Sequence, residues 1–150
     1  MVDPAALGRT GVPFQVDVER GKVREFARAT RSANPDYLDD PRPVVPPTFL
    51  TTMIFWSGPE SDPWQAVGMD QSRGLHAEQE FVFHGPPPRA GTTLTAQSRI
   101  ESIETKAGRR GGELTFVVMV TEFRDPSGQL VAEARLTGVE TATLAAEPAS

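Results

Sequence analysis

The stretch "ELTFVVMVTEFRDPSGQLVAEARLTGVETAT", Glu113 to Thr143, decides the fold class. Its first part alternates with a period of two, the mark of a strand. Leu114, Phe116, Val118 and Val120 fall on one face, and Val117, Met119 and Phe123 on the other. Both faces are largely apolar, so both are expected to be covered. "RDPSGQ", Arg124 to Gln129, is a turn with proline and glycine where turns use them. The chain then returns as a last strand from Leu130. Upstream, "TTLTAQSRIESIET" (Thr92–Thr105) alternates loosely as far as the turn "AGRRGG" (Ala107–Gly112). "LHAEQEFVF" (Leu75–Phe83) stops at Gly85 and three prolines, which cannot continue a ladder. The strands expected beyond Ala90 run to roughly 10–14 residues, against a usual length of about 5–6.

The first half reads differently. "VPFQVDV" (Val12–Val18) places Val12, Phe14, Val16 and Val18 on one side, as a half-buried strand does. In "ERGKVREFARATRSA" (Glu19–Ala33), Val23, Phe26, Ala27 and Thr30 recur at helical spacing, which predicts an amphipathic helix. Gly21 weakens its first turn by up to about 1 kcal/mol relative to alanine. Asn34-Pro35 is the expected stop, because a residue before proline avoids helical geometry. Prolines keep Asp40–Pro46 extended, and Pro47 suits the first turn of a helix. "TFLTTMIFW" (Thr48–Trp56) is apolar nearly all round, which predicts a buried helix. "SGPESDP" breaks it, and "WQAVGMD" (Trp64–Asp70) fits one more helical turn. Helices followed by consecutive antiparallel strands make an α+β fold.

The chain has 150 residues, the size of one domain, read here as 1–150 with a core over about 12–141 and a fraying tail at Leu144–Ser150. Net charge is −5, and the basic residues are scattered apart from Arg109-Arg110, which argues against nucleic acid as a partner. There are no cysteines, which excludes disulfides, thiolate nucleophiles and Cys-ligated zinc. Two histidines, His76 and His84, are few for a metal site, and neither metal nor cofactor is expected. No apolar run approaches the roughly 20 residues that span a bilayer. "MVDPAALG" lacks the features of a signal peptide. A soluble cytoplasmic protein is the expectation.

"SANPDYLDD" (Ser32–Asp40) crowds Asp36, Tyr37, Asp39 and Asp40 between the amphipathic helix and the proline-rich stretch. Such a density of proton-handling groups fits an active site or a solvated turn. Here the order of motifs carries a resemblance. The opening strand, "VERGKVREFARAT", "NPDYLDD", "VPPTFL" and the run from Leu75 to Gly138 together resemble the MaoC-like acyl dehydratases. More narrowly they are similar to the FAS1-like, MaoC N-terminal dehydratase domains, which include the non-catalytic subunit of heterodimeric (3R)-hydroxyacyl-ACP dehydratases. The resemblance implies a single hotdog fold, a long curved antiparallel sheet wrapped around a buried central helix. It implies addition or removal of water at an enoyl or hydroxyacyl thioester of CoA or acyl carrier protein, in a homodimer or in a heterodimer with a catalytic hotdog subunit.

The family's catalytic pattern is Asp-x-Asn-Pro-x-His. Laid on Asn34-Pro35, it puts Ser32 in the aspartate slot and Tyr37 in the histidine slot. Neither replaces the residue lost, since a serine hydroxyl does not titrate usefully and a phenol is a poor base near neutrality. Asp36 lies one position from the histidine slot and is the remaining catalytic candidate. The resemblance implies a thioester near the start of the central helix, with Pro47, Thr48 and Phe49 as substrate contacts. Backbone donors and the helix dipole there would favour an incipient oxyanion. His84 is a further substrate-binding candidate, with a plain reading as a strand-end residue beside it. Glu78 and Glu80 share a strand face with His76, either as an acid–base set or as a solvated face. Gln79 points the other way, where burial would demand partners. The expected function is a subunit of an (R)-specific enoyl-thioester hydratase or (3R)-hydroxyacyl-thioester dehydratase that lacks its own Asp-His pair. The alternatives are a homodimeric acyl-CoA- or acyl-ACP-binding protein and a hotdog thioesterase.

Overall fold

The computed structural model describes residues 1–108 and 112–142. The Arg109-Arg110 turn and the tail from Thr143 lie outside the described residues. Five strands build one sheet: β1 (Phe14–Asp17), β2 (Gly74–Phe83), β3 (Thr93–Ala107), β4 (Glu113–Arg124) and β5 (Leu130–Thr141). Their order is β1-β3-β4-β5-β2, and every neighbouring pair is antiparallel. The long β4 and β5 each run 12 residues, as expected, and β3 runs 15, slightly beyond the expected range. Register shifts at Ile100/Ser102 in β3 and His76/Glu78 in β2 mark irregularities of the kind that bend and twist a strand, so the sheet curls. Among the described residues no helix is long and apolar enough to cross a membrane.

The inner face of the curl holds the core. Leu94, Ala96 and Ile100 of β3, Val117, Met119 and Phe123 of β4, and Ala132 and Ala134 of β5 are all buried. The outer face is mostly half-covered, but Val120 is wholly buried on it. Val120 stands between Arg99 and Arg135 in the register, and both guanidinium groups pair with Glu101. The stems of long cations cover apolar surface while their heads stay wet.

The helices that roof the inner face are short. α1 (Arg20–Ala29) turns Val23 and Ala27 inward, and Phe26 packs edge-on against Phe49 at 5.6 Å between ring centres. It ends before the proline stop that the sequence predicts. Arg31 takes a left-handed φ of 56°, the Arg31 N–H reaches the Arg28 carbonyl, and the Ser32 N–H reaches the Ala27 carbonyl at 2.8 Å. These bonds satisfy the helix's last carbonyls, so the stop is a C-terminal cap. Asn34-Pro35 instead starts a second short helix, α2 (Pro35–Leu38), whose Asp36 N–H is accepted by the Asn34 side chain.

The central helix is a 3-10 helix, Phe49–Phe55, and it is not buried all round. Phe49, Leu50 and Thr52 are buried, whereas Ile54 and Phe55 are 64% and 69% exposed. Apolarity on every side misled because a 3-10 helix repeats every three residues and cannot present all of them to one core. The Lys22 ammonium lies 5.3 Å from the Phe55 ring centre and 5.6 Å from that of Trp56, a cationic cover for the exposed aromatics.

Two expected outcomes follow for stability. Phe49→Ala should cost about 3–5 kcal/mol in urea unfolding, the usual price of deleting a buried phenylalanine. Phe55→Ala should stay within about 0.5 kcal/mol of wild type, and equal costs at the two sites would contradict the half-exposed helix. The second outcome concerns acid. Asp70 accepts from the Ser72 hydroxyl and from Arg73, and these bonds hold its pKa at about 2, below the ordinary 3.8. A depressed carboxylate stabilises the fold above its unfolded pKa and loses that contribution as pH falls towards the folded value. Wild type and Asp70→Asn should therefore differ in Tm above about pH 4 and converge between pH 4 and 2.

Candidate functional site

The core divides into two clusters along the inner face. One gathers Val16, Val18, Val23, Phe49, Leu50, Leu94 and Phe123, and the other gathers Val2, Ala6, Val67, Ile100, Val117 and Met119. A slot of about 280 Å³ opens at the seam between them. Phe14 and Met53 from the first cluster face Met119, Leu136 and Trp64 from the second across it. Ser57, Ser61 and Asp62 bring polar groups to the same space. Such a mostly apolar hollow with a few polar groups is the usual form of a small-molecule site. A larger, more open hollow of about 540 Å³ lies between Asp17–Arg20, Pro41–Arg42 and Ala90–Thr93, with Asp17, Glu19, Arg20 and Arg42 among its lining side chains.

Local chemistry fixes the slot's parts. Ser98 of β3 and Thr121 of β4 are direct partners in the register, both are buried, and their hydroxyls meet at 2.8 Å. This pair forms a small polar patch on the inner face at the seam. Gly11 lies so close to Ser61 that a Cβ there would stand 2.1 Å from the Ser61 carbonyl oxygen. The Val12 N–H also donates to the Glu60 carbonyl, so the N-terminal segment clamps the 3-10 helix Pro59–Ser61 at the rim. Asp62 accepts the Trp64 N–H at 3.0 Å and caps the 3-10 helix Pro63–Val67, which carries the indole into the core.

The loop that the sequence marks out is well formed. Ser32 accepts from the Asn34 N–H at 3.3 Å, and the Tyr37 N–H donates to the Asn34 carbonyl. Tyr37 packs against the larger core cluster, while Asp36 is exposed. Neither Ser32, Asp36 nor Tyr37 lines the slot. The residues expected as substrate contacts at the central helix do not line the slot. Pro47 and Thr48 are exposed away from the slot's walls, and Phe49 is wholly buried with its N–H turned to the Pro46 carbonyl. That N–H is engaged, and one short 3-10 helix adds little dipole.

His84 lies apart from the slot as well. It meets Glu133 at 2.7 Å, and Glu133 lies between the buried Ala132 and Ala134, so the pair stands on the outer face of the sheet. Arg135 lies 3.6 Å from Glu80 and 3.8 Å from Glu133, which makes that region an ion-pair lattice. The register shift at His76/Glu78 breaks the face expected for His76, Glu78 and Glu80, because one extra residue reverses the alternation. Gln79 is exposed and donates to the Arg135 carbonyl. Among the described residues no group of three or more His, Asp or Glu side chains could hold a metal ion.

Reading the sequence alone missed Trp64, Met119 and Leu136 as slot residues. One signal bore on Trp64: Gly138 interrupts the β5 pattern, and a glycine inside a strand often marks a close approach. A Cβ at Gly138 would stand 2.7 Å from the Trp64 ring.

A single curled antiparallel sheet over short helices, with an apolar slot beneath, defines an α+β protein of the hotdog class. The family model for the FAS1-like dehydratase domain region matches residues 5–134, and the chain belongs to that MaoC-like family. It is 39% identical over 132 residues to a UPF0336 protein of Parafrankia, with 81% of each chain covered. The chain is similar to the HadBC (3R)-hydroxyacyl-ACP dehydratase complex of Mycobacterium tuberculosis, at TM-score 0.71 and 27% identity, covering 89% of this chain and 96% of that one. The ChsH1-ChsH2 complex from the same organism shares the fold at TM-score 0.73 and 17% identity, over 96% and 89% of the two chains.

The hydroxyl pair at the seam gives a sharp test. Ser98→Ala should leave the Thr121 hydroxyl unpaired in the core and cost about 1–3 kcal/mol in denaturant unfolding. The double variant Ser98→Ala with Thr121→Val removes both partners and should recover most of that loss, and additive losses would show that the two hydroxyls do not depend on each other.

Proposed function

We propose that this chain is the acyl-chain-holding subunit of an (R)-specific enoyl-thioester hydratase, in reverse a (3R)-hydroxyacyl-thioester dehydratase. A partner hotdog chain supplies the catalytic aspartate and histidine. The observation that carries this reading is the loop from Ser32 to Asp39, which is ordered by its own hydrogen bonds yet has Ser32 and Tyr37 at the two catalytic positions. The Ser32 hydroxyl accepts a backbone N–H, and the Tyr37 side chain packs on the core. Hydration needs one group to activate water and another to deliver a proton beside the thioester. Neither residue suits those tasks.

Two further observations support the reading. The slot offers an acyl chain an apolar lining between Phe14, Met53, Met119 and Leu136. β2 is a ten-residue edge strand paired on one side only, with β5. A partner sheet can align along that edge and join the two chains side by side. The thioester is carried by CoA or by an acyl carrier protein, and the similarity to the (3R)-hydroxyacyl-ACP dehydratase complex supports a substrate of that type.

Co-expression with a hotdog chain that carries an intact Asp-x-Asn-Pro-x-His tests the proposal. The purified chain alone should not hydrate crotonyl-CoA or longer trans-2-enoyl-CoAs, and the pair should. Replacing the partner's histidine should lower the rate about 10²–10⁴-fold, the usual contribution of a general acid or base. Asp36→Ala and Tyr37→Phe in this chain should change kcat less than about twofold, since neither moves a proton. Turnover by the lone chain, abolished by either substitution, would overturn the non-catalytic role. Release of free CoA from acyl-CoA would mark a thioesterase instead, with Asp62 as the carboxylate nearest the slot.

A further inference from the structure

We propose that Trp64 is the end wall of the slot and sets the length of acyl chain it takes. This rests on the reading that the slot holds an acyl chain. The slot of about 280 Å³ has a neighbour of about 200 Å³, and Trp64 and Leu136 line both. The second space continues past the indole to Gly138, His76 and Gln71, and so towards the open edge at β2. The indole is held in place from two sides. Asp62 caps the turn that carries it, through the Trp64 N–H. The far edge of the ring lies on the backbone of Gly138, where a Cβ would stand 2.7 Å from two of its carbons, and the Met69 methyl lies 3.4 Å from that same position. Glycine at 138 is thus the seat of the wall, and any side chain there would push the ring off its seat towards the slot.

The spaces convert to chain length. A methylene fills about the volume of a water molecule, ~30 Å³. The slot therefore holds at most roughly nine methylenes, and the space behind Trp64 adds at most roughly six. Each methylene buried should improve affinity about fourfold until the chain meets the wall.

The test is calorimetric titration of the full chain with saturated acyl-CoAs of increasing even length, kept below their micellar concentrations. Wild type should gain affinity with each added methylene and then stop at a fixed length. Trp64→Ala should carry the gain several carbons further. Gly138→Ala should stop it earlier, because the displaced ring shortens the slot. Should Trp64→Ala fail to fold, Trp64→Leu keeps an apolar side chain there and should still extend the series. An unmoved stopping length in the Trp64 variants, with the wild-type gain intact, overturns the wall and leaves the acyl-chain reading standing. No dependence on chain length in wild type overturns both.

Discussion

Everything in this molecule depends on one constraint: a single sheet has a single inner face, and the chain before β2 must roof it with short pieces. β3, β4 and β5 are long, and the irregularities at Ile100/Ser102 and Phe123/Arg124 help them bend, so the inner face is deeply curved. Large side chains on it, such as Phe123 and Ile100, alternate with small ones, such as Ala96, Ala132, Ala134 and Gly138. The small positions leave room for rings that descend from the roof. Phe49 shares the cluster of Ala132 and Ala134, and Trp64 rests on Gly138. Among the described residues no single long helix spans the curve. The roof is divided between α1 with the central 3-10 helix and the N-terminal segment with Pro63–Val67, and the core divides with it.

That division explains why a hollow and a polar pair share the seam. Two roof pieces of fixed shape do not fill a continuous curve, and the gap between them becomes the slot. Burying two hydroxyls at the same place is tolerable only because Ser98 and Thr121 satisfy each other. Their direct pairing in the β3–β4 register makes this possible without help from the roof.

The sheet was legible in the sequence because its signal is local. Alternation in β3 and β4, the Pro126–Gly128 turn and the prolines after Phe83 each act within a few residues, and they place the strands nearly at their observed ends. The α1 helix was legible for the same reason, except for its stop. Arg31 in a left-handed conformation has no mark of its own, since glycine is the usual sign. The central helix misled because apolar composition does not reveal the helical period, and Ile54 and Phe55 were assigned to a core they do not reach. The family likeness found the Ser32–Tyr37 loop but pointed to Phe49 and His84 as substrate contacts. Phe49 is buried in the core and His84 stands on the outer face with Glu80, while the register shift in β2 turns His76 to the other side. The slot itself joins residues from Phe14 to Leu136, and no short window of sequence holds them together.

The outer face and the open edge complete the argument. A ten-residue edge strand is a hazard, since its free backbone groups invite any other strand. Here the edge carries Glu78 and Glu80, is kinked by its register shift, and borders the lattice of Arg135, Glu101 and Glu133. Charge and irregularity exclude indiscriminate pairing. They do not exclude a strand whose own charges and bend match, so the features that keep this edge from aggregating are also those that would select one partner. The loop at Ser32 belongs to the same logic. Its shape comes from the backbone cap on α1, the Asn34 side chain and the Ser32 hydroxyl, and none of these bonds needs a carboxylate or an imidazole.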